Sequence, residues 1–147
     1  MAVTLTIPNE FFFERGKGTI DFSSHTFKLV VMAGGFTFAR DTHGTYADVS
    51  ASEITTAGGY GIGGYTLTVG AAWAQDDVND KAVITWVDKV ITASGAAFDT
   101  FNGAVIIDDS HASKVIIGHV ALGADIDVAD GASFTFKNLS FEDSQAA

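Results

Sequence analysis

Residues 16–67, GKGTIDFSSHTFKLVVMAGGFTFARDTHGTYADVSASEITTAGGYGIGGYTL, decide the fold class, because they alternate short apolar runs with turn residues at almost every step. Thr26–Met32 is the clearest strand. Phe27, Leu29 and Val31 share one face, and Thr26, Lys28, Val30 and Met32 form a mixed second face, so both sides are predicted to be contacted. Gly34 and Gly35 mark a turn, Phe36 and Phe38 a short β segment, and Arg40–Tyr46 a polar loop. One helical turn fits within residues 47–56. Gly58, Gly59, Gly61, Gly63 and Gly64 surround Tyr60, Ile62 and Tyr65 in a flexible loop or wide turn, where the two tyrosines are expected to be exposed.

Outward from this stretch the pattern repeats. Val3, Leu5 and Ile7 alternate with Thr4 and Thr6 as an edge strand that Pro8 ends. Residues 9–17 suit a short helix capped by Asn9 and stopped by Gly16 or Gly18. The triplet Phe11, Phe12, Phe13 fits no single amphipathic face, so it reads either as a local core plug or as an arm that docks on a neighbouring subunit. Tyr65, Leu67 and Val69, then residues 82–87, form a hairpin around an acidic tip at residues 75–80. Residues 90–92, 104–107, 115–122 and 133–139 complete about nine short strands. The prediction is an all-β fold, a jelly-roll-like β-sandwich at residues 18–147, preceded by an N-terminal arm or edge strand plus short helix at residues 1–17.

Composition narrows the function classes. The 147 residues fit one domain, and the absence of cysteine excludes disulfides, thiolate metal sites and a cysteine nucleophile. A formal charge of −10 repels phosphate backbones and argues against a nucleic-acid partner. No apolar run is long enough for a membrane span, and residues 1–10 lack the pattern of a secretory leader, so the expectation is a soluble chain without a membrane partner.

No chemistry-bearing pattern stands out. His25, His43, His111 and His119 lie in separate segments and read as surface or turn residues. Asp76, Asp77, Asn79 and Asp80 offer oxygen ligands without the glycine and closing glutamate of a calcium loop, and read as a solvated hairpin tip. Asp108, Asp109 and Ser110 read as a turn, with the Asp109 carboxylate accepting local N–H bonds. The glycine-rich segment lacks a phosphate-binding Gly-Lys-Ser/Thr, and no serine stands in a nucleophile elbow. No metal, cofactor or catalytic residue is therefore expected. Trp73, Trp86, Tyr46, Tyr60 and Tyr65 offer faces for a sugar-stacking platform, but aromatics on strands are more often core, and only Tyr60 and Tyr65 are expected to be exposed.

Gly18, Ile20 and Asp21, then Thr26, Phe27, Lys28 and Leu29, then Phe38, Arg40 and Asp41, and finally Glu53, Ile54, Gly58, Gly59 and Tyr60 follow one another in an order that resembles small virion proteins of tailed bacteriophages. Val105 to Asp109 and Ile117, Gly118, His119 resemble a second pattern of that family, with Ile107 and His119 where tyrosines are usual. The resemblance implies a head decoration or cement protein of the jelly-roll type. Such a protein is made in the host cytoplasm, sits on the capsid surface of the virion, clamps adjacent major capsid protein subunits, and associates with itself as a homodimer or homotrimer. The candidate contact residues, taken from the consecutive aromatics and the glycine-flanked tyrosines and not from the resemblance, are Phe11, Phe12, Phe13, Tyr60 and Tyr65. The alternatives are a tail, neck or fibre protein and a carbohydrate-binding sandwich.

Overall fold

The computed structural model describes residues 5–144, so Val3 and Thr4 of the predicted opening strand lie outside the described residues. The chain is predominantly antiparallel β. Its nine strands among the described residues are β1 (Phe27–Ala33), β2 (Tyr65–Thr66), β3 (Val69–Asp76), β4 (Lys81–Trp86), β5 (Lys89–Thr92), β6 (Phe101–Asp108), β7 (Ile116–Ile126), β8 (Ser133–Phe136) and β9 (Ser140–Ser144). Of two helices, α1 (Asn9–Gly16) precedes the strands and α2 (Tyr46–Val49) lies between β1 and β2. The strands form a four-stranded sheet in the order β2-β1-β6-β7, a three-stranded sheet β3-β4-β9 and a pair β5-β8.

The central strands β1 and β6 pair along their whole length, from Phe27 opposite Asp108 to Ala33 opposite Phe101. Both are apolar without alternation, Leu29–Met32 against Ala104–Ile107, which is what burial on two faces demands. Phe27, Leu29, Val31 and Ile106 face the principal core, with Ile84 and Trp86 of β4, Ile91 of β5, Phe136 of β8 and Phe141 of β9. Val30, Met32, Val105, Ile107 and Ile116 face a second, smaller core closed by Val49, Phe36, Phe38 and Tyr46. Of the mixed second face read from the sequence, Val30 and Met32 are thus buried, Thr26 is exposed and Lys28 reaches Asp109 at 3.6 Å.

Several local expectations change. Phe36 and Phe38 are not in a strand; their rings lid the second core, and the Phe36 carbonyl accepts a hydrogen bond from Asn102 Nδ2 at 2.9 Å. Pro8 rather than Asn9 occupies the cap position of α1, because the Asn9 amide is turned to Asp41 Oδ1 at 2.6 Å. Tyr65–Thr66 pairs with β1 and not with β4. That pairing needs Gly64, where a Cβ would lie 2.3 Å from the Leu29 carbonyl oxygen. Residues 133–139 are not one strand: Asn138, at φ 57°, turns the chain from β8 on β5 to β9 on β4. The hairpin around the acidic tip is present as β3–β4, with Asp76 holding Asn79 Nδ2 at 2.8 Å across the turn. A capped turn of helix, α2, stands within the predicted stretch, its Thr45 and Asp48 forming a capping box.

Candidate functional site

In an eight-residue helix only one stripe reaches a core, and in α1 that stripe is Phe11 and Glu14. Phe11 is fully buried, 5.1 Å from the ring of Phe141 and 6.2 Å from that of Phe22. Glu14 accepts hydrogen bonds from Lys17 Nζ at 2.8 Å and Thr19 Oγ1 at 2.7 Å, and meets His111 Nε2 at 3.2 Å. The bond from Lys17, then that from Thr19, holds its carboxyl down to about 2. Arg15 pairs with Asp143 of β9. The described part of the predicted arm is therefore packed onto the β domain.

Helical geometry turns Phe12 and Phe13 outward, leaving them 41% and 62% exposed. Arg15 and Lys17 stand over their rings at 5.4 and 5.0 Å. Beside Phe13 lies a groove of about 400 Å³ whose wall includes Asn9, Glu10, Arg40, Asp41 and Asp48. The triplet thus divides: Phe11 is the plug, and Phe12 and Phe13 are surface.

The tyrosine expectation is overturned. Tyr60 is 2% exposed; its hydroxyl donates to Glu53 Oε1 at 2.7 Å and accepts from the Val31 N–H at 3.1 Å. Glu53 also accepts from Gly63 N at 2.7 Å and from the Tyr46 hydroxyl at 2.5 Å. Burial first, and the bond to Glu53 second, push Tyr46 up to about 12; the same causes raise Tyr60. Gly58 sits at φ 70° with no room for a side chain, since a Cβ would meet the Phe98 ring at 2.8 Å. The glycine-rich segment is therefore a packed turn that carries Tyr60 inward. Tyr65 is half-buried, edge-on to Tyr60 at 5.4 Å with Lys89 over its ring at 5.1 Å, and the pair forms no exposed platform.

Among the histidines, His119 departs most from the surface expectation. It is 8% exposed and stacks on Phe38 at 5.0 Å. Burial, and next the nearby His43, lower it to about 4. Its Nε2 and Asn102 Oδ1 have no hydrogen-bond partner among the described residues, and both residues line a cavity of about 320 Å³ with Phe36 and Asp125. Sequence reasoning could not find this pair, because the second core that covers it is built from distant segments. The roles assigned to the Asp108–Asp109 turn are exchanged. Asp108, fully buried, accepts from Ser110 N at 3.1 Å and His111 N at 3.2 Å and meets His25 Nδ1 at 2.6 Å, whereas Asp109 pairs with Lys28 and Lys114. Among the described residues no three histidine or carboxylate side chains converge as a metal site.

A second surface feature is β3, Val-Gly-Ala-Ala-Trp-Ala-Gln-Asp. It is a sheet-edge strand exposed along its length, with only Trp73 and Asp76 half-buried. Its absence of charge from Val69 to Gln75 was visible in the sequence, but its edge position was not. Comparison with known proteins returns no match, whether among family models, curated proteins or solved structures.

Proposed function

We propose that this chain is a structural virion protein that decorates the outside of a phage head and clamps adjacent major capsid subunits. The observation that carries the reading is the divided aromatic triplet. Phe11 anchors α1 in the core while Phe12 and Phe13, consecutive and exposed, form an aromatic surface on a rigid element beside a groove. Adjacent exposed aromatics on a folded surface favour a protein contact. Many such contacts, each weak, add up when repeated over a lattice, and binding that favours the assembled shell stabilises it by mass action. The acidic balance suits a coat that faces away from packaged DNA. The jelly-roll reading of the sheets belongs to the same proposal, and the packing of the four-stranded sheet against the other two across one core supports a sandwich.

The test is the copy number of the chain relative to the major capsid protein in purified particles, by quantitative mass spectrometry. Near-stoichiometric abundance is expected. A few copies per particle would move the chain to the tail, neck or fibre, and absence from particles would end the virion reading. In decorated heads, F12S/F13S is expected to lower occupancy at least tenfold.

A further inference from the structure

The edge strands of this molecule are protected in different ways, with one exception among the described residues. Beyond the two residues of β2, the outer edge of β1 continues against the Tyr60 hydroxyl at Val31 N and against Ile54 N, which donates to the Val31 carbonyl at 3.2 Å. The outer edge of β7 receives Thr6 at one point, with reciprocal bonds to His119 at 3.0 and 2.9 Å, and its exposed second half carries the charge of Asp125. The outer strand β9 carries Glu142 and Asp143, paired with Lys81 and Arg15. The strands β5 and β8 are four residues each. Cover, charge and shortness are the usual devices that keep sheet edges from pairing with other chains.

The exception is β3. It is eight residues long, its outer side has no strand, and Val69–Gln75 carries neither charge nor proline. Two register shifts against β4, between Val69 and Ala71 and between Ala71 and Ala74, are the one edge-protecting feature it has, and they place no charge on it. We propose that β3 is a dimerisation edge, pairing antiparallel with β3 of a second copy about a two-fold axis between Ala72 and Trp73. This names a strand for the self-association expected of a virion protein of this type, and in that respect rests on the proposed function.

Charge selects the second copy as occupant. Copies of a chain at −10 repel one another through most of their surfaces, whereas this edge is uncharged and therefore complementary to itself. The two-fold sets Val69 opposite the second copy's Asp76 and Gly70 opposite its Gln75. It also separates the two Asp76 residues by about 24 Å at roughly 3.4 Å per residue, some three Debye lengths at physiological salt. The acidic tips at residues 76–80 thus lie at opposite ends of the paired strands.

The 147-residue chain is examined by sedimentation equilibrium and light scattering, alongside A72K/A74K, whose positions are exposed in the monomer. The expected result is a species of twice the 15.4 kDa chain mass, and at least tenfold weaker association for the lysine variant at unchanged circular dichroism and melting temperature. A second variant, A71C/A74C, sets each cysteine opposite the other in the proposed register, in a chain without native cysteine; mild oxidation is expected to give a covalent dimer. A wild type that stays monomeric at 100 µM overturns the proposal, as does a trimer, or a dimer that survives A72K/A74K. A chain that dimerises through β3 yet is absent from particles overturns the virion reading alone, and a monomer that coats heads does the reverse.

Discussion

Single residues carry unusual weight where a polar side chain is buried. Glu53 is 9% exposed and satisfies three donors, the Tyr60 and Tyr46 hydroxyls and Gly63 N–H. Replacing it by alanine strands those donors, and Glu53→Ala is expected to cost roughly 2–4 kcal/mol, read as a lower urea midpoint at unchanged slope. His119 gives a pH signature. Burial, and next the nearby His43, hold its pKa at about 4 in the folded chain against the ordinary histidine value of 6.5, so between these pH values the unfolded chain binds the extra proton. Its contribution is complete above about 6.5, falls as pH drops, and levels off below about 4, a loss of at most about 3 kcal/mol. His119→Leu keeps an apolar partner for Phe38, and urea midpoints against pH are expected to lose the slope between pH 6.5 and 4. Glu14, held to about 2, acts in a lower window, with stability lost as pH falls from 4.5 towards 2. His119→Leu leaves that lower step in place.

At the scale of elements, α1 separates folding from contact within three consecutive phenylalanines. Phe11→Ala removes a fully buried ring and is expected to cost about 3–5 kcal/mol, whereas F12S/F13S alters exposed rings and is expected to leave the melting temperature within about 3 °C. Thermal melts of the two variants side by side check the division. Truncation of residues 1–13 would confuse the two effects, because it takes the plug with the surface. The glycine-rich turn and the Glu53 cluster act as one element too. Tyr60 and Ile54 extend the hydrogen bonding of β1 where β2 stops, so the residues from Glu53 to Tyr60 have an architectural role here.

For the whole molecule, the topology is non-local. The two central strands come from opposite sides of a long intervening segment, Val31 pairing with Ala104, and β4 must await β9 at the end of the chain. Closing such loops before their contacts form is slow. Stopped-flow refolding is therefore expected in the millisecond-to-second range, with no microsecond phase carrying the main amplitude. No described helix is long and apolar enough to cross a membrane.

What the sequence determined by itself was whatever depends on neighbours along the chain. The strands β1 and β6, the hairpin around Asp76–Asp80 and a helical turn close to residues 47–56 were legible, because periodicity and turn residues are local properties, whereas the Thr45–Asp48 capping box was not read. Tertiary structure decided what depends on distant partners. Nothing near Tyr60 in sequence says that Glu53 and Val31 receive its hydroxyl, and nothing near His119 says that Phe36 and Phe38 cover it. The same holds for the split of residues 133–144 between β5 and β4, and for β3, whose uncharged sequence became an open edge only once the order β3-β4-β9 was set. Burial and edge exposure are properties of strand pairing, and pairing joins residues that the chain itself keeps far apart.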